Sequence, residues 1–352
     1  FDASISAMTN PRIVMFAMAV SLLTAVTTAR AEGLPETEEM RSLLADTHRE
    51  FATLEGGELP EYIPALTQVD PERFGIAAVL PDGTTISVGD ADVPFVIMSA
   101  AKPFTMALVM KQSGREVIRE KIGVEPTGEP FNSVEAIESN PQRSVNPMVN
   151  AGAMAAVSLL EGNSPKERWK TLFDWYRALA NSDLSLNQEV YRSVSRTGER
   201  NKAIAALLNS YDRLYADPED VRDVYNRQSS VNVTVEQLAM MGAVLANDGV
   251  HPQTGERLMT PEQVSGTLAV MTLAGMYDAS GEWAWQVGLP AKSGVGGGVF
   301  AVAPGKMAIA AFSPRLDERG NSVRAQAAIR RISNVLGLGL FGTPDTSAGS
   351  EP

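Results

Sequence analysis

The chain has 352 residues, 44% hydrophobic and 20% charged, enough for one sizeable core and typical of a globular protein. Its net charge of −12 argues against nucleic acid or an anionic membrane as partner, because phosphate binding needs clustered Lys and Arg that the sequence lacks. With no cysteine and only His48 and His251, thiol chemistry is excluded, and neither histidine sits beside a plausible serine nucleophile.

Residues 1–31 read as upstream residues followed by a secretory signal peptide. Met8-Thr9-Asn10-Pro11-Arg12 precedes an apolar run from Ile13 to Val26, and Ala29-Arg30-Ala31 supplies small residues for cleavage before Glu32. The run is short for a membrane span. The expectation is a start at Met8, cleavage after Ala31, no membrane contact in the mature form, and a periplasmic or secreted protein; without that signal it would be cytoplasmic.

Leu34 to Gln68 is polar and helix-compatible, ending in Glu61-Tyr62-Ile63-Pro64. Phe74–Val79 and Thr84–Val88 are β-rich runs around Pro81-Asp82-Gly83, which predicts a hairpin. An apolar strand then runs into Ser99-Ala100-Ala101-Lys102-Pro103. Residues three apart share a helix face, and Pro103 pins the helix start near Ser99, so a desolvated Lys102 could take the Ser99 proton during attack. Alone, Ser-x-x-Lys is a weak signal.

From Lys102 to about Leu273 the pattern is helical with almost no β-rich run; Ser164–Leu179, Glu199–Tyr215 and Val235–Asn247 are the clearer helices. Pro290–Gly298 is glycine-rich, Val299–Ala303 and Met307–Phe312 are strands around Pro304-Gly305, and Asn321–Leu336 is a closing helix. The expected architecture is therefore α+β: an antiparallel sheet with flanking helices, completed by both ends of a domain spanning 32–341. A helical subdomain at about 103–285 is inserted in it, leaving a cleft at the junction. The tail 342–352 is expected to be disordered.

Several local motifs combine in order along the chain: Tyr62-Ile63-Pro64; Ser99-x-x-Lys102; Glu125-Pro126-Thr127-Gly128 with Phe131-Asn132-Ser133; Asn146-Pro147-Met148-Val149-Asn150-Ala151-Gly152; Arg200-Asn201-Lys202; Gly275-Met276-Tyr277-Asp278; and Lys292-Ser293-Gly294-Val295-Gly296-Gly297-Gly298. Together they resemble the serine-dependent glutaminase family from about Leu43 to Leu340. The resemblance implies a β-lactamase-like, penicillin-binding-protein-like fold and hydrolysis of L-glutamine to L-glutamate and ammonia. It also implies no metal or organic cofactor, and a homodimer or homotetramer.

By matching position, Ser99 would be the nucleophile, Lys102 its base, and Tyr62 and Tyr277 the site tyrosines, one of them relaying a proton to departing ammonia. Asn150, Asn201, Tyr225 and Tyr277 would hold substrate. The backbone N–H of Val295, with that of Ser99, would form the oxyanion hole.

One position departs from the pattern. Seven residues before Asn201 the family has a glutamate, and here Val194 stands there. The carboxylate expected to meet the substrate's α-ammonium is missing, while Glu189 and Glu199 fall on the wrong helical face. Three alternatives to a plain glutaminase are an exported amidohydrolase for a substituted amide lacking a free α-amino group, a β-lactamase or peptidoglycan role, and a degenerate homologue without turnover.

Overall fold

The computed structural model describes residues 33–141 and 144–342. The expected signal peptide, its cleavage after Ala31, the Met8 start and all but the first residue of the expected tail lie outside the described residues.

Among the described residues eight strands are present: β1 (Gly75–Val79), β2 (Thr85–Gly89), β3 (Phe95–Val96), β4 (Ser185–Leu186), β5 (Val231–Val233), β6 (Ala291–Ser293), β7 (Gly298–Ala303) and β8 (Met307–Phe312). The main sheet has the order β2-β1-β8-β7-β6. Every pairing in it is antiparallel, and Gly75 of the first strand faces Phe312 of the last. The Asp82-Gly83 hairpin forms as predicted: Asp82 Oδ1 accepts from Thr84 N–H at 2.9 Å, and Gly83 takes φ +85°.

The sheet is buried on both faces, and alternation divides each strand between two cores. Ile76, Ala78, Ile309 and Ala311 face one core, closed by the helices Thr37–Phe51 and Val323–Leu336 through Met40, Leu44, Ile329 and Ile332. Ala77, Val79, Phe300, Ala308 and Phe312 face the other, which continues without a break into the helices of the middle segment. Val235–Ala246 lies directly on this second face, where Gly242 lets Phe300 and Ala308 approach. The inserted helices thus share a core with the sheet.

The middle segment is not wholly helical. β4 and β5, with β3, make a small antiparallel sheet of order β3-β5-β4. Strands of two or three residues carry no readable period, so the sequence pattern does not reveal them. This sheet positions the site: Phe95 pairs with Val233, Ile97 N–H donates to Val231 C=O at 2.9 Å, and Phe95 stacks on Phe312 of the main sheet. The chain arrives at Ser99 held from two sides.

Candidate active site

After β3 the backbone turns sharply. Met98 takes φ +47°, a left-handed conformation costly for a side-chain-bearing residue, and a 3₁₀ turn over Met98–Ala101 runs into the helix Lys102–Ser113. The predicted helix start near Ser99 is present, with Pro103 in the first α-turn. Ser99 is 9% exposed and opens into a cavity of about 110 Å³. As one of the first residues of the helical segment, it has an N–H without an intrahelical acceptor.

Lys102 is fully buried behind Ser99, and burial lowers its pKa from 10.5 to about 7. Its Nζ donates to Asn150 Oδ1 at 2.8 Å and to the Met148 carbonyl at 3.3 Å. Among the described residues no carboxylate joins it. Ser99 lies beside the Tyr277 phenol, whose pKa it holds lower. Asn150 holds the ammonium through its amide oxygen from the start of the helix Asn150–Ser158.

Tyr277 is buried and strained, with φ +59°. Its hydroxyl donates to the Ser293 carbonyl at 3.2 Å, and its ring leans on Phe131 at 4.7 Å between centroids. Burial pushes its phenol up to about 12, with the Ser99 and Ser293 contacts pulling the other way. Beneath the ring lies Lys292, with Nζ 3.9 Å from the ring centroid, also donating to the carbonyls of Gly275 at 2.8 Å and Ser293 at 2.7 Å. Its pKa is driven well below the ordinary lysine range by burial and then by the charge of Lys102. Lys292 clamps β6 to the segment that presents Tyr277. The sequence offered it only as part of Lys292-Ser293-Gly294, since burial of a lysine has no local signature.

Gly294 has a stringent packing reason. A Cβ there would stand 2.6 Å from the Ile97 carbonyl and 3.2 Å from the Ser99 amide nitrogen, so only glycine lets β6 end against the nucleophile. The next residue is Val295, buried and lining the cavity with Ser99.

Ser99, Asn150, Asn201, Tyr225, Val194, Val295 and Tyr62 all line the cavity, so the structure gathers the sequence-predicted positions; Lys102 and Tyr277 stand just behind Ser99. Asn150 Nδ2 donates to Asn201 Oδ1 at 2.9 Å, linking the two amides in one row. Tyr225 is buried, and burial raises its pKa, as do the neighbouring Tyr277 and Tyr62 phenols. Tyr62 is 57% exposed at the mouth. Val194 packs with Ile63, Met98, Val190 and Val295 in a small separate apolar cluster. Glu189 and Glu199 are exposed and do not line the cavity, and Gly198 ends one helix and starts the next between them. Four further lining residues, Ile63, Phe131, Asn132 and Arg200, lie within the sequence motifs quoted above, where none of them is given a role.

The family model described as Glutaminase matches residues 57–341. A glutaminase of Colwellia psychrerythraea is 53% identical over 307 residues, covering 87% of this chain and 99% of that protein. A solved structure described as probable glutaminase ybaS superposes with a TM-score of 0.86 at 41% identity, covering 87% of this chain and 99% of that one. Another, described as Mglu in its glutamate form, has a TM-score of 0.82 and 43% identity, covering 86% and 70%.

Proposed function

The chain belongs to the glutaminase family and is an amidohydrolase that converts L-glutamine to L-glutamate and ammonia, and we propose that it does so through an acyl-enzyme on Ser99. The observation that carries this mechanism is Ser99 at the cavity floor, backed by a buried Lys102 whose pKa of about 7 leaves much of it as free base at neutral pH. The relatives' common name favours glutamine over the substituted-amide and non-catalytic alternatives.

In the proposed sequence, Lys102 takes the Ser99 proton as the oxygen attacks the side-chain amide of glutamine. The carbonyl oxygen becomes an oxyanion facing the amides of Ser99 and Val295. Tyr277, beside Ser99, hands a proton to the departing nitrogen, and Tyr62 shields the mouth while ammonia leaves. A water then attacks the acyl carbonyl, its proton returns through the same groups, and Ser99 is released with glutamate. Asn150, Asn201 and Tyr225 hold the amino-acid portion, and Lys292 steadies Tyr277 from below.

We also propose export, supported by the Met8–Ala31 pattern, which places the enzyme in the periplasm or outside the cell, with Glu32 as its first residue. A homodimer or homotetramer is the proposed assembly, supported by the family resemblance; Trp285 and Phe341, 86% and 71% exposed, offer apolar surface for it.

The test of the mechanism is ammonia release from millimolar L-glutamine by the full chain and by Ser99→Ala. Release by the parent that vanishes in the variant supports the reading, whereas equal release by both, or none by the parent, overturns it.

A further inference from the structure

The cavity treats the two charges of an amino acid unequally. Of the side chains that line it, Arg200 alone carries a full charge, and among the described residues no carboxylate lines it or pairs with that guanidinium. Arg200 Nε donates to the Asn132 carbonyl at 3.0 Å, which fixes the plane of the guanidinium and leaves its terminal N–H groups for a ligand. A planar fork of donors suits a carboxylate.

The cavity wall around Val194 is apolar. Val194, Ile63, Met98 and Val295 form one packed cluster there, and Val194 contributes as much to seating the Tyr62-bearing segment as to lining the cavity. The carboxylates of Glu58, Glu61, Glu282, Asp317 and Glu318 line a neighbouring groove, which meets the cavity at Tyr62 and Phe131 but puts none of them on the cavity wall. A free ammonium against this wall keeps its water or loses it without compensation, whereas an uncharged nitrogen substituent meets a surface of its own polarity.

We propose that this chain selects its substrate by the α-carboxylate, through Arg200, and not by the α-ammonium. Its substrate class is then primary side-chain amides that bear a free carboxylate, with glutamine one member and its α-N-acylated forms others. The inference rests on the Ser99 reading for turnover and on the cavity's charge for recognition, and these can fail separately. Because Arg200 is exposed, its pull is screened by salt.

The experiment compares kcat/KM of the full chain for L-glutamine, Nα-acetyl-L-glutamine and the α-carboxamide of L-glutamine. Acetylation is expected to cost less than about tenfold, and amidation of the carboxylate more than about thirtyfold. Arg200→Gln should raise KM for glutamine by roughly tenfold with kcat nearly unchanged, and should narrow the gap between glutamine and its α-carboxamide. Equal turnover of the α-carboxamide and glutamine, loss of turnover on acetylation, or an unchanged gap in Arg200→Gln would overturn the proposal while leaving the Ser99 mechanism standing. If no substrate is turned over, calorimetry on the parent with glutarate and with 4-aminobutanoate decides recognition alone. Tighter binding of glutarate supports the proposal and tighter binding of 4-aminobutanoate sinks it.

Discussion

The two walls of the cavity are built on opposite plans. The reacting wall, made from the Met98–Ala101 turn, the end of β6 and the Tyr277 turn, concentrates strain and buried charge: two left-handed non-glycine residues and two lysines without carboxylate partners. The recognition wall, made from the helices around Val194 and Arg200 and the segment carrying Tyr62, is relaxed, largely apolar and partly exposed. In this chain bond cleavage is fixed by tight packing, while ligand choice is left to side chains such as Arg200 and Val194, the latter resting on Met98 and Val295 of the reacting wall.

The sharpest way to break that division is Lys102→Met. It should lower kcat by about a thousandfold, because it removes the base whose pKa lies near neutral and leaves the Tyr277 phenol, held up at about 12, beside Ser99. The same change should stabilise the fold. Lys102 has its folded pKa depressed from 10.5 to about 7, so at pH 7 and below its charge is buried at a cost, and that cost is relieved as pH rises towards 10.5. Replacing it therefore gains up to roughly 4 kcal/mol at pH 7, fading in alkali, measurable by denaturant titration at several pH values. A variant that is both inactive and less stable would show that the lysine is structural.

Next in size is Gly294→Ala, whose Cβ collides with the Ile97 carbonyl and presses on the Ser99 amide. Displacing the Val295 N–H should reduce kcat by about a hundredfold with little change in KM. A rise in KM alone would mean that this amide binds substrate and not the oxyanion.

The pH profile gives a smaller, graded effect. Since the base must be neutral, kcat/KM should climb about tenfold per pH unit below the pKa of Lys102 and level off above about pH 7. An acid limb near pH 4 would point to a carboxylate and contradict the assignment.

The gentlest change addresses the other wall. Val194→Glu should lower KM for glutamine by about tenfold, leave kcat within about twofold, and cost about 1–2 kcal/mol of stability by placing a carboxylate among Ile63, Met98 and Val295. If kcat fell as well, the two walls would be coupled through Tyr62.

Legibility in the sequence follows the same division. The hairpin at Asp82-Gly83, the strand pair around Pro304-Gly305 and Ser99-x-x-Lys102 are local patterns, readable because turn chemistry and helical spacing act over a few residues. The family motifs brought Asn150, Asn201, Tyr225 and Val295 to one cavity. What stayed hidden depends on distant partners: the small sheet β3-β5-β4, the capture of Lys102 by Asn150, the stacking of Lys292 under Tyr277, and the apolar company of Val194. The identity of a residue says nothing of its burial when its neighbours come from elsewhere in the chain.

The pairing of β1 with β8 sets a clock on the enzyme. A nascent chain acquires Ser99 and Lys102 long before the strand β8, which links Val295 and its sheet edge to β1. Contacts between such distant parts form late and slowly. Catalysis therefore waits for the strand Met307–Phe312, and a polypeptide truncated before Met307 should carry both reactive side chains yet turn over no glutamine.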